Sequence, residues 1–162
     1  SGPRGSERDR KSAATRLRVD LEGRRTIRKK RKVFISLAVQ NVEKSKEFFT
    51  KLGFEFNLKF TDEKAASMIL NEDAYMMLLS RPFFESLATK ALCDTTTHNE
   101  AAFGIHCESR AGVDELLRKA IAAGGKRAGE PQDHGFMYAQ SFYDLDDHHW
   151  EIVWMDPAMA AA

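Results

Sequence analysis

The sequence has few cysteines and no long apolar run. Cys93 and Cys107 are its only cysteines, and their positions do not match a CxxC or another metal-binding spacing. Isolated cysteines of this kind indicate reduced thiols rather than a disulfide framework or a zinc site. The chain also lacks an apolar stretch long enough to cross a membrane and the apolar core of a secretory signal. Together these absences predict a cytoplasmic protein with no membrane segment.

Net charge is also low, but the two signs are unevenly distributed. The formal net charge is +1, yet residues 1–32 hold 13 Lys or Arg against 4 Asp or Glu, and the remaining residues hold 12 against 20. The acidic excess after residue 32 makes nucleic acid an unfavourable partner for that part. The basic run at 28–32 fits a nucleic-acid or targeting patch, although a solvated tail is the favoured interpretation.

Large apolar residues are scarce in the same basic segment. Residues 1–32 contain only Leu17, Val19, Leu21 and Ile27, too few to form a core. We therefore predict a disordered basic extension over 1–32. The rest of the 162-residue chain is long enough for one ordinary domain, which we expect to span 33–157 and to end in a short tail at 158–162.

The order of elements from residue 33 to residue 80 is predicted to be βαβββ. The run VFISLAV is rich in β-formers, Asn41 is a suitable N-cap, and VEKSKEFFTKL follows with helical spacing. Gly53 stands where a helix commonly ends in a left-handed residue. The segments FEFNLKF, AASMIL and AYMMLLS then alternate with charged turns, as strands do.

A second unit of the same kind is predicted over 101–157. The segment 81–100 breaks the pattern and is interpreted as a linker or lid with a short helix. AAFGIHC then resembles a strand, Ser109 an N-cap and VDELLRKAIAA a helix that ends at two glycines, with further strands in FMYAQSFYD and HWEIVWM. An internal repeat of this length predicts an α+β fold made of two equivalent units.

These segments resemble a known superfamily. FISLAVQNVEKSKEFFTKLGF and FYDLDDHHWEIVW are similar to the signatures of the vicinal oxygen chelate superfamily, which includes glyoxalase I, fosfomycin and bleomycin resistance proteins and extradiol dioxygenases. The resemblance implies two βαβββ modules that form a cupped, pseudo-symmetric mixed sheet with helices on its outer face. It also implies a small-molecule ligand or substrate and a homodimer that pairs the halves of two subunits.

Strand alternation assigns the two faces of the implied cup. Ile35, Leu37 and Val39 are expected to pack under the helices, as are Trp150 and Ile152. Alternate positions then line a ligand-binding cavity: Phe34, Ser36, Ala38, Met77, Gly104, His106 and Glu151. Tyr138, in the segment PQDHGFMYAQ, is expected near the rim, where it either covers a ligand or belongs to an ordinary loop.

The metal site that the resemblance implies is depleted in this sequence. The four ligand positions of metal-dependent members fall on Phe34, Met77, Ala102 and Glu151, and only Glu151 can bind a metal. We therefore predict no cofactor. A divalent metal would require a relocated site that combines Glu151 with other histidines, for which the candidates are His106, His134, His148 and His149. His148 holds the family's turn position, which has a structural role.

Three functions are compatible with these residues. The first is lyase- or isomerase-type proton transfer on a small oxygenated substrate, with Glu151 as acid or base and His106 as the group that orients the substrate. The alternative is non-catalytic binding of a small molecule, as in bleomycin resistance proteins. Nucleic-acid binding by the basic extension is the least favoured hypothesis.

Overall fold

The fold is described from a computed structural model of the chain, over residues 31–160 and two short strands before them. The chain divides into two compact units, Ser1–Lys32 and Val33–Ala162. In the first unit β1 (Arg18–Val19) pairs with β2 (Arg25–Thr26) in antiparallel orientation. The other residues of the predicted basic extension lie outside the described part of the chain. No helix among the described residues is long and apolar enough to span a membrane.

The first half of the second unit is a four-stranded mixed sheet with one long helix. Asn41 caps that helix as predicted, since its Oδ1 accepts a hydrogen bond of 2.9 Å from the backbone N–H of Lys44, and Gly53 follows it with φ +99°. The sheet order is β3-β6-β5-β4, with β3 and β6 parallel. The elements are β3 (Val33–Val39), α1 (Val42–Lys51), β4 (Glu55–Phe56), a 3-10 helix (Leu58–Phe60), β5 (Ala65–Asn71) and β6 (Ala74–Ser80).

The second half repeats this arrangement after helix α2 (Arg81–Leu87) and an irregular segment. Its sheet order is β7-β11-β10-β8, β9 also pairs with β10, and β7 runs parallel to β11. The predicted α+β fold of two βαβββ modules is therefore confirmed. The elements are β7 (Ala102–His106), α3 (Arg110–Ala122), β8 (Lys126–Arg127), β9 (Gln132–Asp133), β10 (Met137–Tyr143), β11 (His149–Met155) and α4 (Pro157–Ala160).

The two halves pack through the helix-covered faces of their sheets. Phe49 of α1 lies 5.1 Å from Trp150 of β11 between ring centroids, and Phe48 of α1 lies 6.3 Å from Phe142 of β10. These rings belong to one core cluster that contains buried residues of both sheets. The predicted burial of Leu37, Val39, Trp150 and Ile152 is confirmed. Because alternate strand residues point to opposite faces, the other face of each sheet points away from this common core.

A buried histidine links the two halves. The Nε2–H of His148 donates to the carbonyl of Ala38 on β3 at 2.7 Å, and its Nδ1 lies 2.5 Å from Oε1 of Glu100. Asp144 is buried beside it and accepts from the backbone N–H of His148 at 3.0 Å and from the indole N–H of Trp150 at 2.9 Å. A doubly protonated ring satisfies both of its partners, so the structural role of His148 is to join β3 to the turn before β11.

Charges around His148 decide its protonation. Burial lowers the pKa of the ring, but Asp144, the Ala38 carbonyl and Glu100 together raise it above its usual value. Burial, in turn, raises the pKa of Asp144. The folded state therefore holds a proton on His148 more tightly than the unfolded chain does.

The free energy of unfolding should consequently depend on this histidine in a defined pH window. Because its folded pKa is raised, its stabilisation is complete below the unfolded value of about 6.5 and is lost as pH rises through the folded pKa. Urea unfolding between pH 6 and pH 9 should show a decline in the wild type that is absent in His148→Gln. At pH 6 the variant should be less stable by roughly 3 kcal/mol, because it removes the cation that pairs with Glu100 and lies beside the buried Asp144.

The matched control is His134→Gln, since His134 is an exposed ring on the second half. This variant should keep the wild-type decline with pH. If His148→Gln and the wild type lose stability in parallel above pH 6.5, the buried ring does not carry the proton assigned to it.

Candidate functional site

Glu151 and His106 lie on the outer face of the second sheet, the face that points away from the core. In the strand register Glu151 of β11 stands opposite Gly104 of β7, and His106 stands opposite Val153, two residues further along the same face. Glu151 and His106 are both exposed. A Cβ atom built on Gly104 meets nothing within 4 Å, so the space beside Glu151 is open. A ligand can therefore reach the carboxylate and the imidazole together.

Two further polar residues share this face: His149, which the sequence analysis considered only as a candidate metal ligand, and Ser141, which it did not select. Ser141 of β10 stands opposite Glu151, and His149 precedes it by two residues on β11. The His149 ring packs edge-on against Tyr143, with 5.5 Å between centroids, and its Nε2 is buried without a hydrogen-bond partner. The two-residue spacing from Glu151 was a usable signal for His149, whereas Ser141 could be found only from the pairing of β10 with β11.

The corresponding face of the first sheet is apolar. Phe34 of β3 is 64% exposed and stacks on Tyr75 of β6 with 5.4 Å between ring centroids. Ser36 stands opposite Met77, and Ala38 stands opposite Leu79. Beyond Ala38 the face is covered, because α2 packs against β3 and β6 and leaves Leu79 only 5% exposed. Phe34 and Met77 therefore belong to the open part of this face.

The structure corrects the prediction of one cavity built from both halves of a single chain. Phe34, Ser36, Ala38 and Met77 lie on the first sheet, and Gly104, His106 and Glu151 lie on the second. Both sets point outward from the shared core, so one chain does not bring them together. Alternation assigns the faces within each sheet correctly. It does not determine which faces meet, and here the aromatic rings of α1 join the helix-covered ones.

The prediction that Tyr138 lies near the rim of the cavity is also corrected, because Tyr138 lies on the helix-covered face of β10. It stands opposite Trp154, and its hydroxyl donates to Oδ1 of Asp114 on α3 at 2.6 Å. This hydrogen bond is the main reason that the pKa of Tyr138 is raised. The Arg110 guanidinium lies 5.2 Å from the centroid of its ring. Tyr138 therefore fixes α3 to its sheet and does not cover a ligand beside Glu151.

The residues present do not fit the family's metal. The register confirms that the four positions correspond in pairs, because Phe34 and Met77 hold the same places on β3 and β6 as Ala102 and Glu151 on β7 and β11. Phe34 and Ala102 have no donor atom, and Met77 offers only a thioether sulfur, which suits soft metals such as Cu(I). His149 and His106 flank Glu151 but are separated along the strands by roughly 13 Å. Among the described residues no group of three His, Cys, Asp or Glu is placed to hold a metal ion.

Comparison with known proteins agrees with this architecture. A hypothetical protein from S. aureus shares 28% sequence identity with a TM-score of 0.66, covering 75% of this chain and 91% of that one. A glyoxalase-related enzyme from Fulvimarina pelagi shares 17% sequence identity with a TM-score of 0.65, covering 75% of this chain and 86% of that one. A fosfomycin resistance protein from Mesorhizobium loti shares 11% sequence identity with a TM-score of 0.57, covering 80% of this chain and 96% of that one.

The remaining comparisons concern the sequence itself. No curated protein matches it significantly. The family profile described as "Glyoxalase/Bleomycin resistance protein/Dioxygenase superfamily" matches residues 32–152, which include both βαβββ modules, the outer face with Glu151 and the buried His148. The chain therefore belongs to the glyoxalase/bleomycin resistance protein/dioxygenase superfamily.

Proposed function

We propose that this protein binds a small oxygenated molecule on the outer face of its second sheet and transfers a proton on it, in a lyase- or isomerase-type reaction. The observation that carries the proposal is the pairing of Glu151 with His106 on one open face, with no side chain on Gly104 between them. Small-molecule sites typically combine an apolar wall with a few convergent polar groups. This face supplies the polar groups.

The chemistry needs only groups that the chain itself supplies. The Glu151 carboxylate can take a proton from a carbon next to a carbonyl group and return it to a neighbouring atom of the same molecule. His106 is placed to hold a substrate oxygen, and the Ser141 hydroxyl faces Glu151 from the other neighbouring strand. No step is assigned to a metal, because none of the inherited ligand positions other than Glu151 carries a nitrogen or oxygen ligand in its side chain.

The apolar wall is proposed to come from a second copy of the chain. Single chains rarely expose large apolar surfaces without a partner. Phe34 is a large apolar side chain that is 64% exposed on the first sheet, and the half-buried Met77 lies on the same face. When this surface faces the second sheet of another copy, it places apolar side chains opposite Glu151 and excludes water from it. A homodimer then contains two equivalent sites, each built from two subunits.

Non-catalytic binding is the second candidate. It is supported by the residues at the family's metal-ligand positions, of which only Glu151 is a carboxylate. A binding site without the metal can hold a ligand without converting it. The two candidates differ in one observable, because a binder forms a stoichiometric complex and no product. A cytoplasmic location is proposed for either function, on the basis of the two unpaired thiols of Cys93 and Cys107.

Glu151→Gln should remove catalysis and retain the fold. The substitution keeps the shape of the side chain but removes its ability to take a proton, so kcat should fall by a factor of about 10² to 10⁴ while KM changes little. Turnover would be measured by NMR on small oxygenated compounds, including fosfomycin, and binding of the same compounds and of bleomycin by calorimetry.

The matched control is Glu47→Gln, an exposed glutamate on α1 that is remote from this face. It should behave as the wild type, and activity should survive dialysis against a chelator. Wild-type turnover in Glu151→Gln rejects the proton-transfer role. Stoichiometric binding without product in the wild type establishes the non-catalytic alternative.

Phe34→Glu should convert the proposed dimer into a monomer. A charge at this position must be desolvated in the apolar contact, which disfavours association but is harmless on an exposed face. Sedimentation velocity should show half the wild-type mass, and a cooperative thermal unfolding transition should show that the monomeric chain is still folded. Phe60→Glu, at an equally exposed phenylalanine of the 3-10 helix, should leave the mass unchanged, and a monomeric wild type would contradict the proposed pairing.

A further inference from the structure

A second cavity lies at the end of the first sheet, away from Glu151 and His106. Its volume is about 510 Å³, within the usual range for small-molecule sites. Ser36 and Ala38 of β3 form one wall, Phe84 and Leu87 of α2 another, and the irregular segment 88–100 the third. The buried His148 lies at its inner end.

The irregular wall of this cavity is held in place by hydrogen bonds. The hydroxyl of Thr95 donates to the carbonyl of Asp146 at 2.6 Å, and Glu100 contacts His148 in the same turn of the second half. Between these anchors, Oδ1 of Asp94 accepts from the hydroxyl and the backbone N–H of Thr96. The cavity is therefore largely formed before any ligand enters, which reduces the entropic cost of binding.

The acidic side chains of the cavity have partners within the chain, whereas two of its basic side chains have none among the described residues. Its two acidic side chains are both occupied, because Glu100 contacts His148 and Asp146 accepts from the backbone N–H of Gln40 at 2.8 Å. Besides the protonated His148, which contacts Glu100, the cavity has two basic side chains, Arg81 and Lys90. Both are exposed and form no hydrogen bond or ion pair within the described part of the chain, and Arg81 interacts with Asp94 only beyond ion-pair distance. The cavity therefore favours a ligand with a negative charge, which can pair with Arg81 and Lys90.

We propose that this cavity binds a small organic carboxylate, with its charge at Arg81 and Lys90 and its apolar body against Phe84 and Leu87. Arg81, Lys90, Phe84 and Leu87 all line the cavity, so a ligand with a charged end and an apolar end can contact both kinds of side chain. The site does not use Glu151 or His106, so it does not depend on the proposed proton transfer.

Three probes with the same body and different charge test this assignment. Benzoate, benzyl alcohol and benzylamine would each be titrated into the uniformly ¹⁵N-labelled full chain. Benzoate should produce saturable shifts of the backbone amides at 36–38 and 84–93. It should bind about tenfold more tightly than benzylamine, because two cations near the surface contribute on the order of 1 kcal/mol or more to the difference.

Two variants locate the interaction. Arg81→Gln combined with Lys90→Gln should abolish the preference for benzoate, whereas Lys51→Gln combined with Lys59→Gln removes two exposed lysines elsewhere on the first half and should preserve it. Ser36→Phe places a ring in the cavity and should prevent binding of all three probes. The amide spectrum of each variant reports whether the fold is intact.

The remaining outcomes overturn the proposal. Equal or tighter binding of benzylamine excludes an anion site, and tighter binding of phenyl phosphate than of benzoate excludes the carboxylate class. The absence of saturable shifts excludes a site altogether. Glu151→Gln should bind benzoate as the wild type does. If it does not, or if the shifts centre on 104 and 151, the ligand occupies the outer face of the second sheet and this cavity is empty.

Discussion

The packing of the α1 aromatic rings against the second sheet determines what the rest of the molecule can do. Phe48 and Phe49 extend from the first half into the space beneath Phe142 and Trp150. Burial of such rings is the largest single source of apolar stabilisation in a domain of this size. Because these contacts use the helix-covered faces, the open faces of both sheets point outward. The chain therefore presents two separate open faces, called half-cups below, rather than one closed cup.

The two half-cups have diverged from a common pattern. Met77 on the first sheet holds the place that Glu151 holds on the second, and Ala38 corresponds to His106 in the same way. One face has therefore kept apolar side chains and the other has kept groups that can exchange protons or form hydrogen bonds. Neither face alone has the composition of a small-molecule site. This asymmetry is the physical basis for the proposed pairing of two copies.

Local features of the fold could be predicted from the sequence because each depends on neighbouring residues. Asn41 and Ser109 cap their helices with side-chain oxygens, and Leu37 and Val39 are buried by simple alternation. The candidate site could not be predicted to the same extent. Its faces depend on long-range contacts, such as that between Phe49 and Trp150. Such contacts leave no periodic signal. The sequence therefore assigned the residues to the correct faces, but it could not determine that the two faces lie apart within one chain.

Tyr138 is a single residue whose position also depends on contacts that the local sequence does not reveal. Its segment PQDHGFMYAQ was expected near the rim of the cup, but Tyr138 is the second residue of β10 and stands opposite Trp154 on the helix-covered side. A shift of one residue in a strand exchanges the two faces. Its neighbour Ala139 points outward instead. The hydroxyl of Tyr138 then serves α3 through Asp114, a partner 24 residues away that no local pattern could identify.

The segment between the two modules is more than a connection, because it is fixed at the same turn that holds the modules together. Thr95 and Glu100 bind Asp146 and His148, while His148 and Asp146 bind the end of β3 through Ala38 and Gln40. A molecule in the adjoining cavity would therefore contact the first sheet, the linker and the second-half turn together. Its binding energy would add to the free energy that holds the halves in register, and proton loss from His148 would weaken the same set of contacts.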